Sequence, residues 1–88
     1  MRTVVNVHFK NLDEIESFLT ITQNMESDVF LKQGSIQIDA KSSVSMMNAP
    51  LNYPMMVQLI DKKGISELDN FIKRAEELKI IESIRIEE

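Results

Sequence analysis

Apolar and polar residues alternate near the start of the chain: within residues 3–9, Val5, Val7 and Phe9 share one side, Asn6 and His8 the other. Period two with β-branched residues predicts a half-buried strand. The period then lengthens, with Ile15, Phe18, Leu19, Thr22 and Met25 at the i, i+3, i+4 spacing of one helical stripe. Asn11 opens that helix with Glu14 placed as in a capping box, and Ser27-Asp28 marks its end. Val29 to Lys32 predicts a second strand, Gln33-Gly34-Ser35 a hairpin turn, and Ile36, Ile38 and Ala40 the inward side of a third strand. Ser42 to Asn48 suits a short helix, stopped where Pro50 bars the preceding residue from the helical region.

Leu51 to Pro54 is a connection, and Met55 to Asp61 a fourth strand in which Val57 and Leu59 alternate with Met56, Gln58 and Ile60. Lys62-Lys63-Gly64 reads as a turn. Ser66 is then a good N-cap, with Glu67 and Asp69 near the positive end of the helix dipole. Leu68, Phe71, Ile72, Ala75 and Leu78 form the stripe of that last helix. The order is β-α-β-β-α-β-α without linker or repeat, so residues 1–88 form a single α+β domain. It is expected to be an open-faced β-sandwich: a four-stranded antiparallel sheet covered on one face by three helices. The tail KIIESIRIEE breaks this scheme, since Ile84 and Ile86 sit two apart. A last helical turn or an added edge strand both fit it, and an extended segment is favoured.

Eighty-eight residues suffice for one small, marginally stable core. Without cysteine there is no disulfide, thiolate metal site or cysteine nucleophile. No apolar run approaches the roughly 20 residues of a membrane span, and MRTVVNVHFK lacks the apolar stretch of a secretory signal. A cytoplasmic protein is therefore expected. A net charge of −4 argues against a nucleic-acid partner, which requires clustered Lys and Arg.

The run DVFLKQGSIQIDAKSSVSMMN, from Asp28 to Asn48, is the most informative part of the chain. It resembles the centre of the histidine-containing phosphocarrier protein (HPr) of the bacterial sugar phosphotransferase system, an open-faced sandwich with the same element order. The resemblance implies that Ser42, after Lys41, matches the family's regulatory phosphorylation site. It also places Asn11 where the family carries its phosphoryl-accepting histidine, with Asp13 and Glu14 in place of an arginine and a proline. An amide takes up no phosphoryl group as an imidazole does, and two carboxylates repel one. No enzymatic activity and no cofactor are expected.

The family docks partners through apolar residues after the serine, so the resemblance implies a partner face of Lys41, Val44, Met46 and Met47. Ser43 and Ser45 depart from that pattern, Ser45 standing where a glycine is usual. Met46, Met47, Met55 and Met56 bracket the Pro-Leu-Asn-Tyr-Pro connection, and half of them are expected to point inward. The rest, with Tyr53, would form an apolar patch suited to a protein partner. His8 is the only histidine and has neither a nucleophile nor a metal-spaced ligand near it in sequence.

The expected function is that of a non-catalytic, HPr-like regulatory or adaptor protein related to the phosphoenolpyruvate-dependent sugar phosphotransferase system, with Ser42 as candidate switch. Two others stand beside it. One is a small α+β domain binding a peptide or metabolite on its open sheet face. The other is a phosphocarrier that uses His8.

Overall fold

In the first strand, β1 (Arg2–Val7), Val5 and Val7 are buried and Asn6 is half-exposed on the opposite face, where Val4 departs from the alternation by being buried too. The computed structural model describes residues 2–62 and 66–87, so Lys63 and Gly64 of the expected turn lie outside the described residues. Phe9 follows the strand rather than ending it, yet it is wholly buried. It anchors the core edge-on to Phe18 at 5.1 Å, and Phe18 in turn meets Phe71 at 5.9 Å.

Helix α1 (Leu12–Gln23) starts at the residue the pattern marks. Asn11 is its N-cap, and its side chain accepts the Glu14 N–H at 3.0 Å. Glu14 reaches back to the backbone N–H of Lys10 at 2.7 Å, one residue earlier than in a standard capping box. Ile15, Phe18, Ile21 and Thr22 are buried, and the Thr22 hydroxyl donates to the Ala40 carbonyl at 2.6 Å. That bond makes a polar residue acceptable inside the apolar stripe.

β2 (Asp28–Gln33) and β3 (Ile36–Asp39) close over Gly34-Ser35, where Gly34 has φ +58°, a conformation that an L side chain resists. Ile38 is buried, but Ile36 at the hairpin tip is 51% exposed, so only part of the third strand's expected inward side joins the core. After α2 (Ser43–Met46) and a connection held by Asn52 N–H to the Phe9 carbonyl, β4 (Met55–Ile60) enters the middle of the sheet. Helix α3 (Leu68–Glu77) follows. Its N-cap is Glu67 rather than Ser66, and no side chain caps it. The Glu67 carboxylate is engaged elsewhere, as described below.

The tail is a fifth strand, β5 (Ile81–Glu87), paired antiparallel with β1. The sheet therefore has five antiparallel strands in the order β3-β2-β4-β1-β5, an open-faced α+β sandwich. The chain enters β5 through a Schellman motif. Lys79 N–H bonds Glu76 O, Ile80 N–H bonds Ala75 O, and Lys79 takes φ +58° where glycine is usual. Ile80 is buried as the motif's hydrophobic contact. Asn6 pairs with Ser83 but Val7 with Ile81, which leaves Glu82 as a bulge residue.

Candidate functional site: the α1–α2 face

Helix α2 is one turn long, and its start is set by Ser42, whose hydroxyl oxygen accepts the Ser45 N–H at 3.2 Å. Ser42 is half-exposed at the N-cap. The same short turn separates the two neighbouring methionines. Met46 is fully buried in the core while Met47, at the C-cap, is 78% exposed. Of the four residues expected to form a partner face, Met46 is thus corrected to core filler, because the turn aims it at the sheet.

Lys41 is corrected as well. Its ammonium donates to the carbonyls of Met25 at 2.8 Å and Ser27 at 3.2 Å, in the loop after α1, so it is a structural tie rather than a cation held out beside Ser42. Val44, 76% exposed, and Met47 remain on the surface. The pattern that expects half of the methionines inside holds for the group: Met46 and Met55 are buried, Met47 is exposed and Met56 intermediate.

Helix α1 supplies the other wall of the face. Leu12, Ile15, Glu16 and Leu19 form a stripe along it, and with Ser43 and Met47 they line a groove of about 440 Å³. Ile15 is buried at its floor, and Leu12, 61% exposed, stands on its rim. Gln23 ties α1 to the start of α2: its amide donates to Ser43 Oγ at 3.2 Å and to the Lys41 carbonyl at 3.3 Å. Leu12, Ile15 and Leu19 are missing from the residues that sequence reasoning assigned to a partner face. Ile15 and Leu19 were read as part of the core stripe, and Leu12, one turn before Ile15, continues that spacing but was not included in it.

Asn11, the residue before Leu12, is a satisfied helix cap, followed in the first turn by Asp13 and Glu14. His8 lies apart from it. Its Nδ1 is 3.1 Å from the carboxylate of Glu82, the bulge residue of β5, and its Nε2 is buried without a hydrogen-bond partner. Tyr53 is exposed in the connection before β4. Among the described residues, no group of three or more His, Asp or Glu side chains is arranged to hold a metal ion. No helix among them is long and apolar enough to cross a membrane.

A second cluster is linked to the segment before Ser42 through Lys41. Ser27, fully buried, donates its hydroxyl to Glu67 Oε1 at 2.6 Å, and the same oxygen accepts the N–H groups of Ser27 at 2.7 Å and Glu26 at 3.0 Å. The Ser27 hydroxyl, then its N–H, hold the Glu67 carboxyl below the ordinary carboxylate range; partial loss of water opposes them, and the Glu26 N–H and the Lys41 ammonium add to the lowering. Asp61 joins through Ser27 Oγ at 3.1 Å and the Glu67 N–H at 3.2 Å. The cluster ties the loop after α1 to the start of α3, and through Lys41 to the segment that leads into Ser42.

Comparison with protein-family models, with curated proteins and with solved structures returns no match to this chain.

Proposed function

We propose that the chain is a non-catalytic, HPr-like regulatory or adaptor protein related to the phosphoenolpyruvate-dependent sugar phosphotransferase system, which docks a protein partner on the α1–α2 face. The observation that carries this reading is the apolar groove between α1 and α2, rimmed by the exposed side chains of Leu12 and Met47, with Val44 exposed on α2. Contiguous exposed apolar surface of this kind is costly to keep in water and usually marks a contact site. Adaptable methionine at its rim suits recognition of a partner.

Two features support a non-catalytic role. Asn11 is committed to capping α1 and is followed by Asp13 and Glu14, an arrangement hostile to an incoming phosphoryl group. His8 is a poor substitute, since one ring nitrogen faces a carboxylate and the other is buried. Ser42 remains the candidate regulatory site. Its half-exposed hydroxyl stands next to Ser43 in the groove lining, and a phosphate there would add about −2 charge to the rim.

The test is affinity capture from a bacterial extract with the wild-type chain, with Val44→Asp/Met47→Asp, and with Gln58→Asp on the opposite sheet face. The reading expects a discrete protein retained by the wild type and by Gln58→Asp and lost with the double variant. Retention by the double variant and loss with Gln58→Asp would instead favour binding on the open sheet face. That second reading has one observation behind it, a smaller depression of about 300 Å³ over Val4, Lys32, Met56 and Gln58.

A further inference from the structure

We propose that the partner of the α1–α2 face is an amphipathic helix carrying lysine or arginine beside its apolar stripe. The inference rests on the docking reading above and adds the partner's chemistry.

Shape argues for a helix. Leu12, Ile15, Glu16 and Leu19 stand at i, i+3, i+4 and i+7 on α1, so the groove follows two helical turns. That run is about 10 Å long, from the helical rise per residue. The walls are helices α1 and α2 rather than a sheet edge, so the groove offers no β-ladder to an extended peptide. A strand laid there would leave its own N–H and C=O groups unpaired, whereas a helix brings them already bonded.

Charge argues for a cationic one. Among the described residues lining the groove, the charged one is Glu16. Asp13 and Glu14 lie in the first turn of the same helix, and its last turn has no basic residue. The cation nearest in sequence to Ser42, Lys41, is withdrawn to the carbonyls of Met25 and Ser27. Lys10 is exposed, but it stands before the helix and is outnumbered by Asp13, Glu14 and Glu16. The whole chain carries a net charge of −4. A lysine-flanked apolar stripe therefore satisfies both the groove and its rim, and a glutamate-flanked one is repelled. Phosphate on Ser42 would carry the same sign as Glu16, so it would tighten such a partner rather than release it.

The experiment uses two synthetic helical peptides with an identical leucine stripe, one flanked by lysine and one by glutamate. Each is titrated into the ¹⁵N-labelled full chain. The lysine peptide is expected to shift the amides of residues 12–19 and 43–47 and to bind at least about tenfold more tightly than the glutamate peptide. Met47→Asp should abolish the shifts at residues 43–47 without unfolding the chain, and Glu16→Lys should cut the preference for lysine by about threefold to fivefold. Equal or tighter binding of the glutamate peptide at the same amides would overturn the charge assignment and leave the docking reading in place. Shifts by the lysine peptide confined to other parts of the surface would overturn the proposal too. If neither peptide moved the α1–α2 amides, the docking reading would fall with it.

Discussion

Ser27 and Glu67, forty residues apart, meet at 2.6 Å, with the buried serine hydroxyl donating to a carboxylate oxygen that two backbone N–H groups also reach. This contact explains why α3 begins without a side-chain cap: the residue at the N-cap spends its carboxylate on the loop after α1. Ser27→Ala is expected to destabilise the fold by about 1–3 kcal/mol, because it removes a donor from a group that stays in place. Chemical denaturation of the two proteins checks this.

The same carboxylate gives the stability a pH dependence whose sign can be stated. Its folded-state pKa lies below the ordinary value, so the folded state holds the charged form. Its contribution is fully present above the ordinary carboxylate pKa and is lost as the pH falls through the lowered folded value. Denaturation midpoints measured from neutral pH into that acid range should fall for the wild type and fall less for Glu67→Gln.

Lys79 occupies the left-handed position of the Schellman motif that delivers the chain into β5. Glycine takes that conformation without a Cβ clash, so Lys79→Gly should stabilise the protein by about 0.5–1 kcal/mol. A thermal melt that moves upward checks it.

The two adjacent methionines of α2 should separate stability from binding. Met46→Ala empties a fully buried site and should cost about 2–5 kcal/mol. Met47→Ala, at 78% exposure, should change stability by no more than about 0.5 kcal/mol while weakening the bound partner.

Asn11 invites a direct substitution. Asn11→Ala should lose about 1 kcal/mol of stability with the cap. Asn11→His should still take no phosphoryl group from phosphorylated enzyme I, because Asp13 and Glu14 remain beside it. Intact-mass analysis reads both that result and, after incubation with an HPr kinase and ATP, a single addition that Ser42→Ala removes.

Much of the fold was legible in the chain because local chemistry and global placement agree in it. Val5, Val7, Phe18 and Ala75 are buried as their periods require, and Asn11 caps the helix that its spacing with Glu14 announces. The tail was harder. Ile84 and Ile86, two apart, favoured an extended segment over a helical turn, but its partner, the outer edge of β1, and the bulge at Glu82 are set by the folded sheet. The site was half legible. Val44 and Met47 are exposed, but nothing local distinguishes Met46 from Met47, since one turn of helix and the position of the sheet decide which is buried. Lys41 misled for a similar reason: the carbonyls of Met25 and Ser27 that hold it become neighbours only in the folded chain.

The most direct test places a photoreactive phenylalanine analogue at Met47, and separately at Gln58 on the opposite sheet face, in bacterial cells expressing the chain. Docking on the α1–α2 face predicts a discrete crosslinked protein from position 47 that is absent from position 58, and that disappears when Leu12 is also changed to Asp. Crosslinks from position 58 with none from position 47 would contradict it.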